Sequence, residues 1–506
     1  MKILLISPPT LRPLRADMSD LFEKESGLYP PLGLLYLAAR LQEEGRHPVK
    51  VLDGPALEPI RKPSPRPSST ETTRENGGVP DRPGAASYEA IEQEIREFRP
   101  QVVGIQTLTF TLIDALAVAE IARRIDPEIH VCLGGPHVYL YPQESLGFPF
   151  IDSLILGEGE ITLPELLDAL EAGRPLEGVP GIAFRREGEV VLTEPRPLIE
   201  ALDSLPFPDR SLIPYQRYYS VLGKEGLMTT LLTSRGCPFS CIYCGRFHIG
   251  KRFRARSARN VVDEMAACVA MGIGELQVFD DIFTLDKRRA LAVCHEIVRR
   301  GLKISWAIRS RVDTVDPELL DNLARAGCRR ISYGVESGSD EILKNLKKGI
   351  TTRKAEEAVR MAQEAGLTVL ADFMLGSPGE TREHVLRTIE FALKLRPDFA
   401  QFTVTTPYPA TELYLEGLRQ GVIARDYWQE FAQNPQEAFV TPFWNEHLVR
   451  EELLELFRLA YRRFYLRPSY VLRRFQRLGS WKEFKHAARA GMRVFRVANR
   501  QGGAGR

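Results

Sequence analysis

Residues 234–244 read Ser234-Arg235-Gly236-Cys237-Pro238-Phe239-Ser240-Cys241-Ile242-Tyr243-Cys244 and hold three of the chain's seven cysteines. The spacing is C-x3-C-x2-C, and the residues at 229–233 just before it predict a β-strand. Three thiolates on one short loop can bind three irons of a cubane cluster, whereas full cysteine ligation needs four. The loop therefore predicts a 4Fe-4S cluster on Cys237, Cys241 and Cys244, with one iron open to a small molecule.

Two other chemistries fit part of this loop. Cys241 and Cys244 form a C-x-x-C pair, which is the spacing of thiol–disulfide redox sites. His248 lies four residues after Cys244, so the three cysteines and this histidine also satisfy a Cys3His zinc pattern. A third cysteine does not suit a redox pair, and a zinc knuckle normally holds a small module together, so the cluster is favoured. The other four cysteines, expected in the apolar core, are Cys132, Cys268, Cys294 and Cys328.

The segment around the loop, residues 226–420, repeats a strand followed by a helix six times. Helix starts are predicted at the capping residues Ser257, Asp286, Asp316 and Thr352. Six such units predict a partial (β/α)6 barrel, whose active site lies at the carboxyl ends of the strands. The cysteine loop follows the first of these strands, near residues 229–233, and the others are expected near 276–279, 304–308, 331–335, 369–374 and 400–404.

Residues 1–173 also alternate between short apolar runs and helical patterns. Strands at 2–7, 49–53, 102–106, 129–133 and 151–156 predict an α/β fold with a doubly wound parallel sheet. Residues 55–87 contain seven prolines and many polar residues, so a disordered insertion is expected there. Residues 174–225 are predicted to form a hairpin and a linker, and residues 421–506 a helical, basic C-terminal region.

Three loops at the ends of the N-terminal strands have unusual compositions. Ligands bind at such loops in doubly wound folds, and glycines let a ligand approach the backbone closely. None of these loops is a G-x-G-x-x-G, so no nicotinamide site is predicted. The candidate residues are Ser7 and Pro8 after the first strand, Gly134, Gly135 and His137 after the fourth, and Gly157, Glu158 and Gly159 after the fifth.

At the cysteine loop the chain resembles the radical S-adenosylmethionine (SAM) superfamily. That family's C-x3-C-x-aromatic-C pattern is matched here, with Tyr243 as the aromatic residue. The resemblance implies that SAM binds the open iron and lies along the strand ends of the barrel. The implied SAM-binding residues are Tyr243 in the loop, Asp280 and Asp281 after the second strand, Glu336 and Ser337 after the fourth, and Gly376 after the fifth.

The N-terminal domain resembles the cobalamin-binding domain that is fused to many radical SAM enzymes. The resemblance rests on the three strand-end loops, and the two resemblances together cover about residues 1–420. The D-x-H-x-x-G motif that supplies cobalt's lower histidine in methionine synthase is absent here. His137 is a candidate ligand by its neighbourhood only, and the alternative is a loop histidine near solvent or the corrin edge.

These resemblances imply three cofactors, a 4Fe-4S cluster, SAM and cobalamin, and an external electron donor of the flavodoxin or ferredoxin type. They imply reductive cleavage of SAM, hydrogen abstraction from an unactivated carbon, and methyl transfer to the substrate. The anaerobic magnesium-protoporphyrin monomethyl ester cyclases share the two-domain layout, so oxidative cyclisation of a tetrapyrrole is an alternative outcome. A non-catalytic iron–sulfur or zinc protein used in sensing is a further alternative.

The composition is that of an ordinary globular chain, with 44% hydrophobic and 26% charged residues. No apolar run approaches the roughly 18 residues of a spanning helix, and the first residues are too short for a signal-peptide core. The chain is therefore expected in the cytoplasm. Its net charge of +2 conceals an asymmetry, because residues 450–506 carry 15 Lys/Arg and 4 Asp/Glu, a net +11, which leaves −9 on the rest.

The basic C-terminal region has two explanations. Its helices either pack on the barrel with a solvated basic face, or present an amphipathic surface to anionic lipid at the inner membrane face. Nucleic acid is not expected, because no recognised binding motif accompanies the charge. Peripheral membrane contact would suit a small hydrophobic or lipid-like substrate. The aromatic residues interleaved with the arginines, as candidate membrane anchors, are Phe464, Tyr465, Tyr470, Phe475, Trp481, Phe484 and Phe495.

Overall fold

The computed structural model of this 506-residue chain describes residues 1–11, 27–57, 85–220, 222–223, 226–245 and 247–476, except the side chains of residues 85 and 473–476. Most of the insertion expected at 55–87 lies outside the described residues. Its described ends are helical, contrary to that expectation. The candidate anchors Trp481, Phe484 and Phe495 and the side chain of Phe475 also lie outside them.

A seven-stranded sheet forms the N-terminal part of the fold. The described strands before residue 226 are β1 (Ile3–Ser7), β2 (Gly27–Leu28), β3 (Val49–Asp53), β4 (Val102–Gln106), β5 (His130–Gly134), β6 (Ser153–Ile155), β7 (Ile182–Arg186), β8 (Glu189–Leu192) and β9 (Tyr219–Ser220). The sheet order is β3-β1-β4-β5-β6-β7-β8, with the first five strands parallel and the last two antiparallel. The β7–β8 hairpin, expected in the linker, therefore extends this sheet, because β7 pairs with β6.

Helices cover both faces of this sheet. Successive side chains of a strand point to opposite faces, so Ile3 and Leu5 pack in one core cluster while Leu4 and Ile6 pack in another. Strands covered on both faces are mainly apolar, as β1 is from Ile3 to Ile6. The helices of this part are α1 (Leu32–Glu44), α2 (Gly54–Leu57), α3 (Ala85–Phe98), α4 (Leu112–Ile125), α5 (Pro136–Leu140), α6 (Pro142–Leu146) and α7 (Gly159–Glu171).

A second sheet of six parallel strands follows, in the order β10-β13-β14-β15-β16-β17. Its strands follow one another in chain order. Between β10 and β13 in the sequence, β11 and β12 form a separate antiparallel pair. The strands are β10 (Met228–Leu231), β11 (Ser234–Arg235), β12 (Arg254–Ala255), β13 (Glu275–Val278), β14 (Ser305–Ser310), β15 (Cys328–Glu336), β16 (Thr368–Leu375) and β17 (Phe399–Val404).

The helices between these strands begin close to the predicted caps. The side chains of Ser257, Asp286 and Asp316 each accept a backbone N–H of the first helical turn, as predicted. The fourth cap is Thr351 rather than Thr352, which is the first helical residue. The helices are α8 (Ala258–Ala270), α9 (Lys287–Arg299), α10 (Pro317–Arg325), α11 (Asp340–Asn345), α12 (Thr352–Glu364) and α13 (Arg382–Leu395).

The second sheet has one apolar and one polar face. Ile308, Ile331 and Val369 lie in the large core cluster with the surrounding helices. Their neighbours along the strands point to the opposite face because the side-chain period of a strand is two. That face, here called the inner face, carries Arg309 on β14 and Asp372 on β16. Both strands pair with β15, which lies between them.

The C-terminal helices are integral to the fold. They are α14 (Glu412–Gln420), α15 (Tyr427–Gln433), α16 (Arg450–Tyr465) and α17 (Pro468–Gln476). Tyr461 Oη accepts from the N–H of Phe402 at 3.0 Å and donates to its carbonyl at 3.1 Å. Tyr465 Oη likewise accepts from the N–H of Ala400 and donates to its carbonyl. The two hydroxyls therefore satisfy backbone groups at the outer edge of β17. None of the helices found in the described residues is long and apolar enough to cross a membrane.

Candidate active site

The cysteine loop leaves the end of β10 and is bracketed by the β11–β12 pair. Ser234 pairs with Ala255 and Arg235 with Arg254, which closes the two ends of the loop on each other. Gly236 has a φ of +86°, and a Cβ atom there would lie 2.2 Å from the carbonyl oxygen of Arg252. Glycine is required by this close approach, so the conformation of the loop depends on the residue before the first cysteine.

Two of the three cysteines in the loop are buried, Cys237 and Cys241, and Cys244 is exposed. The guanidinium of Arg311 donates to the Cys241 sulfur at 3.9 Å and lies 3.7 Å from the centre of the Phe239 ring. Asp313 orients this guanidinium through two hydrogen bonds of 2.9 Å. Iron is ligated by thiolates, and this guanidinium places a positive charge beside one of the three sulfurs. The donor set therefore fits a cluster.

His248, the fourth residue of the zinc alternative, is partly buried, and burial lowers its pKa. Within the described ranges, no three His, Cys, Asp or Glu side chains are arranged to hold one metal ion. A tetrahedral zinc site brings its ligands around a single ion, whereas each cysteine of a cubane cluster binds a different iron. The zinc alternative gains no support from this arrangement.

Tyr243 connects the loop to the second sheet. Its hydroxyl donates to Glu336 Oε1 at 3.0 Å, and Lys348 Nζ donates to the same oxygen at 2.7 Å and to Tyr243 Oη at 3.1 Å. Burial and the Glu336 carboxylate raise the pKa of Tyr243 well above its usual value, so the phenol stays protonated. A Cβ at Gly334 would lie 2.5 Å from the Glu336 carboxylate, so this network requires glycine there. The network holds Tyr243 and Glu336 at the strand end.

The two aspartates after β13 have different surroundings. Asp280 is fully buried, and its carboxylate accepts from the N–H and hydroxyl of Thr233 and from the hydroxyl of Ser234 at 2.5 to 2.6 Å. These contacts join the end of β13 to the start of the cysteine loop. Asp281 is exposed and lines the cavity described below. Asp281 therefore faces the cavity, whereas Asp280 orients the loop.

The remaining predicted SAM residues follow β15 and β16. Ser337 is buried, and its hydroxyl lies 3.2 Å from that of Thr388. The N–H of Gly376 donates to Glu380 Oε2 at 2.6 Å, and a Cβ on Gly376 would lie 2.7 Å from a methyl carbon of Leu453 in α16. Burial raises the pKa of Glu380 to about 7, although backbone N–H groups donate to it. Glu380 and the C-terminal region thus support this loop from two sides.

A cavity of about 480 Å³ lies between the strand ends of the two sheets. From the second sheet it is lined by Ser234, Arg235, Phe279 and Asp281, close to the cysteine loop. Pro30, Pro31 and Leu37, around the start of α1, make part of its wall apolar. Five predicted cobalamin residues line its N-terminal side: Gly134, Gly135, Gly157, Glu158 and Gly159.

Three other predicted cobalamin residues lie outside the lining of this cavity. His137 is fully buried, with its Nδ1 3.2 Å from Thr109 Oγ1, and burial lowers its pKa to about 3. The expectation of a loop histidine near solvent is therefore wrong, because α5 carries the ring into the protein. Ser7 hydrogen-bonds Asp53, and Pro8 is buried. No histidine occurs among the described residues that line the cavity.

Glu158 belongs to an ion-pair network that the sequence did not predict. It accepts from Arg235 Nη1 and Arg254 Nη1, each at 2.9 Å, and Arg235 also pairs with Glu160. All four side chains are at most 9% exposed. The network joins the loop after β6 to the hairpin that holds the cysteine loop. No local pattern signals it, because the partners are 75 or more residues apart.

Asp372 is a polar residue of the inner face that sequence analysis missed. Its Oδ1 is buried and has no hydrogen-bond partner within the described chain, and burial and Glu336 raise its pKa to about 7. Arg309, also on the inner face, is exposed and lies with its guanidinium 5.0 Å from the Phe279 ring centre. An aspartate inside the otherwise apolar stretch 369–375 was the available signal.

Comparisons with known proteins agree with this geometry. The Radical SAM superfamily model matches residues 231–392, and the B12 binding domain model matches residues 19–167. The chain is 36% identical over 478 residues to the uncharacterized methyltransferase PH0819 of Pyrococcus horikoshii, which covers 94% of each chain. The chain belongs to the cobalamin-binding radical SAM enzymes, in the group that includes methyltransferases.

Further comparisons support the same family and fold. The chain is 33% identical over 394 residues to the anaerobic magnesium-protoporphyrin IX monomethyl ester cyclase of Cereibacter sphaeroides, over 76% of this chain and 63% of the cyclase. The fold is similar to that of the radical SAM methyltransferase TsrM from Kitasatospora setae, solved with cobalamin and a [4Fe-4S] cluster bound. Its TM-score is 0.71 at 19% identity, over 99% of this chain and 100% of that one.

The cofactors of this radical SAM enzyme are a 4Fe-4S cluster, SAM and cobalamin. The residues present fit all three groups. Three thiols with a guanidinium beside Cys241 suit a cluster with one open iron. The exposed Asp281 and the fixed Glu336 offer acceptors for the amino and hydroxyl groups of SAM. The glycine-lined cavity, at the strand ends of an α/β sheet, suits the corrin.

Proposed function

We propose that this enzyme transfers a methyl group to an unactivated carbon of a small, mainly hydrophobic substrate. Membership in the family and similarity over 94% of a protein named as a methyltransferase support the reaction class. The observation that carries the proposal is a single cavity lined both by the glycine loops of the first sheet and by residues flanking the cysteine loop. Such an arrangement brings a methyl donor and a radical source to one place.

Within this proposal, the cofactors supply reductive cleavage of SAM, hydrogen abstraction and the methyl group, and the protein supplies position and water exclusion. We assign residues 1–173 and the β7–β8 hairpin to a doubly wound cobalamin domain, and residues 226–420 to a partial (β/α)6 barrel. Residues 193–225 then form the linker. The assigned ligands are Cys237, Cys241 and Cys244 for the cluster, Tyr243, Asp281, Glu336, Ser337 and Gly376 for SAM, and Gly134, Gly135, Gly157 and Gly159 for cobalamin.

The substrate is proposed to lie against the inner face of the second sheet. Asp372 lies close enough to Glu336, Arg309 and Lys348 for each of them to affect its pKa. A buried carboxylate oxygen without a partner is costly unless a ligand satisfies it. The substrate therefore carries at least one hydrogen-bond donor, such as a hydroxyl or an amine, on an otherwise hydrophobic body.

Oxidative cyclisation of a tetrapyrrole is the second candidate function. It is favoured by 33% identity to a cyclase, although the match spans 63% of that protein. The two outcomes differ in what the product gains. A methylated product carries the methyl group of SAM, whereas a cyclised product gains oxygen and retains no carbon from SAM. Both reactions need an external electron donor, which we propose to be a flavodoxin or a ferredoxin.

The test is anaerobic turnover of the reconstituted enzyme with methyl-deuterated SAM, a flavodoxin reducing system and lipid extract from the source cells. We expect 5′-deoxyadenosine and a product with a deuterated methyl group by mass spectrometry. An unlabelled, oxygenated tetrapyrrole would support the cyclase instead. Absence of 5′-deoxyadenosine from reduced protein with full iron content would overturn both, and would favour the iron–sulfur sensor.

The role of Asp372 has a separate test in the same assay. Asp372→Asn should retain SAM affinity and formation of 5′-deoxyadenosine, but should lower product formation by at least about tenfold, since one good hydrogen bond to a charged group is worth about 1.5–3 kcal/mol. Asp321→Asn, at an exposed position on α10, is the matched control and should behave like the wild type. Equal losses of SAM affinity and product formation in Asp372→Asn would indicate that Asp372 contacts SAM rather than the substrate.

A further inference from the structure

A groove of about 660 Å³ opens at the junction of α13, α16 and α17, far along the chain from the cysteine loop. We call it the basic groove. Four arginines contribute to its lining, and acidic residues are absent from the described part of that lining. Arg463 pairs with Glu390 at 2.6 Å just outside it. The lining residues are Leu393, Arg396, Arg462, Arg463, Leu466, Arg467 and Ser469.

A second arginine-rich groove on the same protein has most of its positive charge neutralised by carboxylates. Arg259, Arg299 and Arg300 line it together with Asp263 and Glu296. Arg299 and Arg300 both pair with Glu296 at 2.7 Å, and Arg300 also pairs with Asp263 at 2.6 Å. Two carboxylates offset two of the three arginines in that groove and leave a net charge of +1, whereas the four arginines of the basic groove have no acidic residue beside them in its described lining.

Exposed apolar side chains surround the basic groove. Leu466 lines it and is 37% exposed, and Val471 and Leu472 on α17 are 40% and 61% exposed. Leu472 lies three residues after Ser469, so both are on one face of the helix. By contrast, Phe464 and Tyr470, expected from the sequence as membrane anchors, are buried in the core. The apolar component of this surface is therefore aliphatic.

We infer that the basic groove and its leucines bind an anionic lipid surface. Guanidinium groups pair with lipid phosphates, and the exposed leucines enter the boundary of the acyl chains. The chain's own residues 477–506 carry eight Lys/Arg and one Asp/Glu, so they would repel the groove rather than neutralise it. A nucleic acid would satisfy the arginines, but it would leave the leucines in water.

The position of the groove makes this inference independent of the proposed reaction. Arg396 lies three residues before the start of β17, so the groove lies near the amino end of that strand. The cysteine loop follows the carboxyl end of β10 in the same parallel sheet. Docking at the amino ends leaves the opposite end accessible, and it can be measured without SAM or substrate.

The experiment is co-sedimentation of the full-length holoenzyme with vesicles of phosphatidylcholine alone or mixed with phosphatidylglycerol. We expect binding only to the mixed vesicles, with weakening as salt rises. Arg396→Gln with Arg462→Gln should weaken binding roughly 10- to 30-fold, at about 1 kcal/mol per basic residue. The matched control, Arg259→Gln with Arg299→Gln, removes the same charge from the second, mostly neutralised groove and should have little effect.

Leu472→Ser tests the apolar component and should weaken binding to mixed vesicles without changing its salt dependence. Thermal unfolding of each variant checks that the fold is retained. Equal losses from the two arginine pairs would show that only net charge acts, which overturns the inference. Failure of the wild type to bind mixed vesicles at low salt overturns it as well. A DNA duplex that binds and competes with vesicles at the groove, with Leu472→Ser without effect, would assign the groove to nucleic acid.

Discussion

Glu158 and Arg235, 77 residues apart, form a buried ion pair at 2.9 Å that joins the loop after β6 to the hairpin holding the cysteine loop. Burial alone would raise the pKa of Glu158, but hydrogen bonds from Arg254 and Arg235 lower it. The carboxylate is therefore ionised at neutral pH. The glycine loop after β6 and the hairpin that holds the cysteine loop are thus connected through a small group of buried ion pairs.

Removing this charge should destabilise the protein strongly. Glu158→Gln leaves Arg254 and Arg235 buried with too little negative charge, which typically costs about 3–5 kcal/mol. Calorimetry of the apoprotein measures this as a lowered unfolding temperature. Glu200→Gln, which removes the exposed partner of Arg252, is the matched control and should cost at most about 1 kcal/mol. Similar losses in both variants would contradict the proposed importance of the buried network.

Replacing all three loop cysteines should remove the cluster. The variant Cys237→Ala/Cys241→Ala/Cys244→Ala should lose iron, brown colour and formation of 5′-deoxyadenosine, because no other thiol of the loop remains. Cys294→Ala, in the core of α9, is the control and should keep the wild-type iron content. Protein purified anaerobically with stoichiometric zinc and without iron would support the Cys3His alternative.

Cobalamin should bind without a protein histidine on cobalt. His137 is buried outside the lining of the cavity, and burial keeps its imidazole neutral. The electron paramagnetic resonance spectrum of the cob(II)alamin form should show no nitrogen coupling from a protein imidazole, in the wild type and in His137→Asn alike. Coupling that is present in the wild type and lost in His137→Asn would show that the ring reaches cobalt.

Glu380 should make the protein less stable as pH rises. Its folded pKa of about 7 exceeds the usual 4.5, so between these values the folded state keeps a proton that the unfolded state releases. Stability therefore falls from about pH 4.5 through pH 7. Glu380→Gln keeps an acceptor for Gly376 and removes the ionisation, so it should be more stable than the wild type at pH 8, by up to about 3 kcal/mol, and similar at pH 4.5.

Denaturant titrations of wild type and Glu380→Gln at pH 4.5 and pH 8 measure this difference. Asp372, with a pKa of about 7, and Asp53, with a pKa of about 6, act in the same direction, so the variant should flatten only part of the dependence. Glu383→Gln, at an exposed position two residues into α13's first turn, is the control. An unchanged difference between the two pH values in Glu380→Gln would contradict the assignment.

Much of this protein could be inferred from local sequence. The spacing of Cys237, Cys241 and Cys244 identifies the cluster loop, because the ligands lie within eight residues of one another. The caps at Ser257, Asp286 and Asp316 were predicted correctly, since a capping hydrogen bond joins residues three apart. Strand–helix alternation predicted the parallel sheets, because it depends only on periodicity along each segment.

Contacts between distant segments were decided by the tertiary structure. The β7–β8 hairpin joined the first sheet because β6 offered an edge, which no pattern within the hairpin specifies. Tyr465 of α16 was predicted as a membrane anchor beside arginines, yet its hydroxyl hydrogen-bonds the backbone of Ala400 in β17. Asp280 and Glu158 stay predicted ligand-binding residues, and the fold brings Thr233 and Arg235 into hydrogen-bond distance of their carboxylates, which no local pattern indicates. A sequence shows which side chains are able to form such bonds, and only the fold determines which partner is within about 3 Å.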